Sequence, residues 1–273
     1  SSHCYLLEEL FQCCCHSATV EQDTTVGNKQ IIKPMLHARL EKCMWGACLP
    51  IACLAALALA FDVPERVERK WLSRPLHLLV ALPFLFMALL FLSDSYAYRL
   101  VWEHGGAELP LRYRLAALWE GREGPILMWA ATMAIVGTMT DGVMKGESMT
   151  CRRKRMAAFH GFTVFLLFLA LSMGAFDAAA APDAPRSQLN ELLQTNLMVI
   201  HPPIIFLYYS LCIALSSIVI STLFSSDVEM DDLRHRLLPV ARPAMLVGTL
   251  GVGLGGLWAY TVLDWGGYWA WDP

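Results

Sequence analysis

Charge is what this chain has least of. Only 16% of its 273 residues are Asp, Glu, Lys or Arg, against 56% hydrophobic residues, and the formal net charge is −3. Soluble domains carry about a quarter of their residues charged, so this composition excludes an ordinary soluble domain. The small negative charge also excludes the strong attraction a nucleic-acid partner requires. Cysteine spacing suited to a metal is missing as well. Of nine cysteines, Cys13, Cys14 and Cys15 stand side by side before His16, and adjacent ligands cannot all reach one tetrahedral zinc without distorting the backbone. The run also misses the C-x-x-C-H spacing, because Gln12 occupies the first position. It reads as a lipidated or incidental run. Cys43, Cys48, Cys53 and Cys212 lie in apolar stretches and read as small hydrophobes. Residues 1–42 lack an initiating Met and a clear amphipathic, Arg/Ser-rich presequence. No acid, base or inverted repeat stands out within the apolar stretches, which argues against a transporter.

What is present in abundance is long apolar sequence, with a mean hydropathy of +0.45. A helix crossing a bilayer needs about 20 apolar residues. Six stretches qualify, at 43–61, 76–92, 125–140, 156–176, 197–224 and 243–260, the third being short and opened by Gly124-Pro125. The expected fold is therefore all-α, a polytopic membrane helical bundle of about six transmembrane helices. An extramembrane tail covers 1–42, the bundle 43–260, and a tryptophan-rich segment 261–273. Positive charge sets the orientation. Arg66, Arg69, Lys70 and Arg74 fall between the first two spans; Lys145, Arg152, Arg153, Lys154 and Arg155 between the third and fourth; Arg234, Arg236 and Arg242 between the fifth and sixth. These connections are assigned to the cytoplasm or matrix side. The loops 93–124 and 177–196 and the C-terminal segment then face outward.

The outward segments carry the chemistry. Trp265, Tyr268, Trp269 and Trp271 crowd a short stretch in which Gly266 and Gly267 let the backbone bend. An interfacial belt needs one or two such rings spread around a helix; this concentration suits a shelf for a large planar apolar ligand, a porphyrin above all. His201 opens the fifth span and is followed by Pro202 and Pro203, which remove backbone donors and are expected to kink or restart the helix. A lone interfacial His beside prolines reads first as a structural group. Its place on the same side as the tryptophans turns the reading toward a ligand. Gly251 and Gly255 in the sixth span have small-xxx-small spacing, whose default role is close helix packing. Loop 93–124 interleaves aromatics with Arg99, Arg112, Arg114 and Arg122; it reads as an interfacial cap, or as a source of guanidinium groups for carboxylates.

Three blocks together resemble the CcmF heme lyase family of cytochrome c maturation, whose members carry a tryptophan-rich "WWD" loop. These are Leu109-Pro110-Leu111-Arg112-Tyr113-Arg114 through Trp119 to Glu123-Gly124 and Trp129; Asn190-Glu191-Leu192-Leu193-Gln194 leading to His201-Pro202-Pro203; and Trp265 to Pro273. The resemblance covers most of residues 75–273. It implies heme as the cofactor, His201 as an axial ligand to the heme iron, and Trp265, Tyr268, Trp269, Trp271 and Asp272 as the heme shelf. It assigns no catalytic residue. Arg122 stands where the family commonly has His, and Tyr268 and Ala270 replace Trp and Phe. The family's remaining histidines have no match here, so the chain looks like the N-terminal piece of a divided CcmF. The implied partners are the remaining CcmF fragments, CcmH-like and CcmE-like maturation proteins, apocytochrome c and membrane lipid. The implied location is the mitochondrial inner membrane with the tryptophan loop toward the intermembrane space, or else a bacterial plasma membrane. The implied function is heme positioning for thioether attachment; the alternative is a non-catalytic scaffold derived from CcmF.

Overall fold

The structure, a computed structural model, describes residues 47–66, 68, 70–144, 146–179, 189–225 and 230–262. The chain divides into two compact units, residues 1–50 and 51–273. The described part of the first unit is confined to residues 47–50, and the long helices all belong to the second.

Every regular element among the described residues is helical. Chain order runs through α1 (Cys48–Ala60), α2 (Val63–Arg66), α3 (Ser73–Leu92), α4 (Arg99–His104), α5 (Leu111–Ala117), α6 (Glu123–Val143), α7 (Met149–Ser172), α8 (Asn196–Leu223) and α9 (Met230–Thr261). Five helices, α3, α6, α7, α8 and α9, are long and apolar enough to cross a membrane. This is an all-α membrane bundle. Of the expected span 43–61, residues 48–60 form an apolar helix, and residues 43–46 lie outside the described residues. The weak third span, by contrast, becomes the 21-residue α6. Gly124 and Pro125 fall in its first turn, where a missing N–H costs nothing.

Packing follows from side-chain size. α6 is the most enclosed of the five helices, and its inward residues Ala130, Ala131, Ala134 and Gly137 let α3, α7 and α8 close around it. A hydroxyl pair, Thr132 Oγ1 and Ser210 Oγ at 2.9 Å, joins α6 to α8 in the interior. α9 packs chiefly on α8 and is the least enclosed. Leucines 78, 85 and 89 of α3 and Met245, Leu246 and Leu250 of α9 face outward, as lipid-facing residues should.

Sequential long helices alternate in direction. The helix termini therefore gather at two ends of the bundle. One end collects α4, α5, the start of α6, the end of α7, the start of α8 and the end of α9. The other collects the start of α3, the end of α6 and the start of α7.

Candidate functional site

His201 sits about 8 Å along α8, five residues past its first residue at 1.5 Å each. The helix begins where the Thr195 side chain accepts from the Met198 N–H, at 3.3 Å. Pro202 and Pro203 lie inside a continuous helix, which neither ends nor restarts there. The reason is local. Pro202 has no N–H to offer the carbonyl four residues back, Met198, and the Trp119 indole Nε1–H takes that carbonyl at 2.8 Å instead. Trp119 thereby ties the turn after α5 to the turn carrying His201.

The imidazole itself is set by α9. A Cβ built at Gly255 would lie 2.8 Å from His201 Cε1, so only glycine leaves room for the ring. Gly251 opposes Ile204 and Ile205, and Gly248 opposes Tyr208, which continues the close approach along the helix pair. The expected packing role of Gly251 and Gly255 holds, with Gly255 also fixing the histidine. Trp258 lies one turn beyond Gly255 and stands edge-on to His201, with ring centroids 5.8 Å apart at 67°. His201 Nδ1 and Trp258 Nε1 are both buried without a hydrogen-bond partner among the described residues. From Trp258 the chain is described only to residue 262. Trp265, Tyr268, Trp269, Trp271 and Asp272 lie outside the described residues.

The connection 93–124 is a folded cap rather than an open loop. Arg99 donates to Glu123 Oε1 at 2.8 Å and to the Met173 and Gly174 carbonyls, joining α4 to the start of α6 and the end of α7. The Glu123 carboxylate lifts the Arg99 guanidinium further above its ordinary range. A short bridge between Tyr98 and Ala178 runs alongside. Arg114 donates to Asp94 at 2.8 Å, to the Leu109 carbonyl and to that of Ala107. Both guanidiniums are thus committed inside the cap. Of the four arginines that the sequence offers to carboxylates, the exposed ones are Arg112, stacked on Tyr113 at 4.8 Å, and Arg122. His104 Nδ1–H donates to Glu120 Oε2 at 2.9 Å, while the other Glu120 oxygen takes the Asn190 N–H at 3.2 Å. Sequence reading passed over Trp258, His104 and Glu120. The spacing of Gly251, Gly255 and Trp258 was the available signal, since positions three and four apart share one helix face.

The opposite end was read as basic loops, and here the structure departs from expectation. α7 starts at Met149, capped by Ser148 Oγ at 3.2 Å from the Cys151 N–H. Arg152 and Arg155 therefore lie in its first two turns and turn inward. Arg152 meets Asp62 at 3.1 Å; Arg155 meets Glu147 at 3.0 Å and Asp141 at 3.3 Å; Arg236 meets Glu147 at 3.7 Å. Burial pushes the Asp62 carboxyl up, against the pull of Arg152. The basic residues that the sequence reading placed between spans thus pair with carboxylates at helix ends, outside the apolar stretches themselves.

A family model described as "Cytochrome C assembly protein" matches residues 119–273, more than half of the chain. The chain is 31% identical over 224 residues to the cytochrome c-type biogenesis protein CcmF of Pseudomonas aeruginosa, covering 76% of this chain and 33% of that protein. It is 30% identical over 202 residues to CcmF of Escherichia coli, covering 72% and 31%. It is 27% identical over 197 residues to CycK of Bradyrhizobium diazoefficiens, covering 72% and 30%. The chain spans about a third of the length of these curated relatives. No solved structure matches it. The match begins at Trp119, the residue that secures the His201 turn, and by its extent the chain belongs to the cytochrome c assembly protein family, on its CcmF side.

Proposed function

We propose that this chain is a subunit of a cytochrome c heme lyase, holding heme for attachment to the C-x-x-C-H thiols of an apocytochrome c. A role in cytochrome c maturation follows from the family; the heme-handling role is the proposal. The observation that carries it is the His201 imidazole. It is fixed by Gly255, set edge-on to Trp258, and holds a buried Nδ1 with no described partner, at the end of the bundle where α9 leads into the aromatic stretch. A half-buried imidazole beside an indole fits a ligand to a porphyrin iron.

In this reading His201 would hold the heme iron, and Trp265, Tyr268, Trp269, Trp271 and Asp272 would form the shelf. Heme supplies the vinyl carbons to which the two thiols add as thioethers. The chain's own share is orientation: Trp119 and Gly255 hold the imidazole in one place, and the exposed Arg112 and Arg122 stand at the same end to meet propionates. Its partners in this reading are other CcmF fragments and CcmH-like and CcmE-like proteins. The His201 end faces outward, toward the intermembrane space of a mitochondrion or the periplasm of a bacterium.

A second reading is a scaffold that descends from CcmF without its chemistry, favoured by Arg122, Tyr268 and Ala270 where the family has His, Trp and Phe. Depletion and re-expression separate the two. The lyase reading expects apocytochrome c to accumulate on depletion, with rescue by the wild-type chain and not by His201→Ala. Full rescue by His201→Ala would establish the scaffold.

A further inference from the structure

Two histidines lie buried against each other toward the end of the bundle remote from His201. His77 of α3 and His160 of α7 are 3% and 1% exposed, with ring centroids 5.1 Å apart at 63°. His77 Nε2 and His160 Nδ1 are both buried without a hydrogen-bond partner among the described residues. Native folds leave few buried polar atoms unmet, so two on adjacent rings call for a partner that serves both.

The surroundings narrow what that partner is. His77 Nδ1 lies 2.8 Å from the Ser73 carbonyl, an acceptor only, so Nδ1 carries the proton and Nε2 presents its lone pair. A carbonyl fixing one ring nitrogen while the other stays free is how metal-ligating histidines are held. A Cβ at Gly137 of α6 would come within 2.6 Å of His77 Nε2, so glycine keeps the space before that nitrogen clear. Phe159 stands edge-on to His160 at 5.0 Å. Rings this close and packed on both sides leave no room for a porphyrin, only for one small species. Two imidazoles ligating one ion at about 2.0 Å place each centroid about 3.1 Å from it, so 5.1 Å between centroids corresponds to about 110° at the metal. That is the tetrahedral angle. A water donating to both nitrogens at about 2.9 Å would be squeezed to about 80°, far below its own angle of about 105°.

The apolar interior favours the ion of smallest charge, because the cost of burying an ion grows with the square of its charge. Imidazole suits zinc and copper alike, whereas thioether sulfur selects copper(I). Met156, 1% exposed, precedes His160 by one turn on the same face of α7. Helical side chains lean toward the N-terminus, so the His160 ring leans over it. We propose that His77 Nε2, His160 Nδ1 and the Met156 sulfur form a copper(I) site that joins α3 to α7. Its way in is the cavity of about 550 Å³ that Ser73 lines, one turn before His77 on α3. The site is independent of the heme reading, because none of its residues lies at the His201 end.

The test is anaerobic titration of the full chain in lipid nanodiscs with copper(I), held in competition with a coloured copper(I) chelator. The site predicts one copper per chain, and X-ray absorption showing two nitrogens at about 2.0 Å and a sulfur at about 2.3 Å. His77→Phe and His160→Phe should each weaken binding about a hundredfold or more, and Met156→Leu about tenfold. His235→Gln, at an exposed histidine, should leave binding unchanged. Met156→Leu conserves volume, so it keeps the test valid should either Phe variant fail to fold. No copper retained by the wild-type chain, zinc(II) held in its place, or copper binding unchanged in the folded His77→Phe or in Met156→Leu overturns the proposal.

Discussion

A methyl group at position 124 would overlap the carbonyl oxygen of Leu118, because the turn after α5 crosses directly over the first turn of α6. Gly142, near the other end of the same helix, has nothing within 4 Å of that position. Gly124→Ala should therefore lower stability by about 3 kcal/mol or more, as backbone must move. Gly142→Ala should raise it by about 0.5–1 kcal/mol through helix propensity. Thermal unfolding of the two variants in one detergent reads the difference, and equal effects would contradict the close crossing. Trp119→Phe removes the indole donor that meets the Met198 carbonyl freed by Pro202. We expect a loss of about 1–2 kcal/mol in the same assay, against almost none for Trp71→Phe, an exposed ring. His201 was legible in the sequence because a histidine before two prolines breaks the run of aliphatic residues. The donor that keeps its helix intact was not, since 79 positions separate Trp119 from Met198 and no local pattern encodes a side chain reaching a distant carbonyl.

Among the elements, the short helices α4 and α5 each depend on an ion pair more than on their own length. Helices of 6 and 7 residues do not hold alone in water. Arg99 anchors α4 to Glu123, whose side chain is only 4% exposed. Arg99→Met leaves that carboxylate buried and unpaired and should cost about 3 kcal/mol. The double variant Arg99→Met/Glu123→Leu should recover much of the loss, and a double-mutant cycle by chemical denaturation measures the coupling; additive single effects would refute the anchor. The long helices were legible because apolar length is a local property. The cap was named from its mixed composition, but what orders it was not legible, because pairs such as Arg99–Glu123 and Arg114–Asp94 join separate segments. The basic turns were misjudged for a related cause. A count of Arg and Lys says where charge falls along the chain, and Arg152 and Arg155 are neutralised by carboxylates from other helices.

For the molecule as a whole, the alternation of five long helices separates two chemistries, an imidazole–indole pair at one end and a carboxylate–guanidinium–histidine cluster at the other. If the chain spans the membrane as its helices suggest, Cys introduced at Arg112 and at Asp232 should react with an impermeant maleimide from opposite sides of sealed vesicles. Labelling of both from one side would rule out the arrangement. The family and the bundle were readable from sequence motifs and apolar length, whereas the meeting of Gly255, Trp258 and His201 needed two helices placed side by side. The most direct test of the central claim is the heme content and absorption spectrum of the complex purified through this chain, wild type against His201→Gly, with and without added imidazole. The account predicts heme lost in the variant and its low-spin spectrum regained with imidazole. Equal heme and an unchanged spectrum in His201→Gly would contradict it.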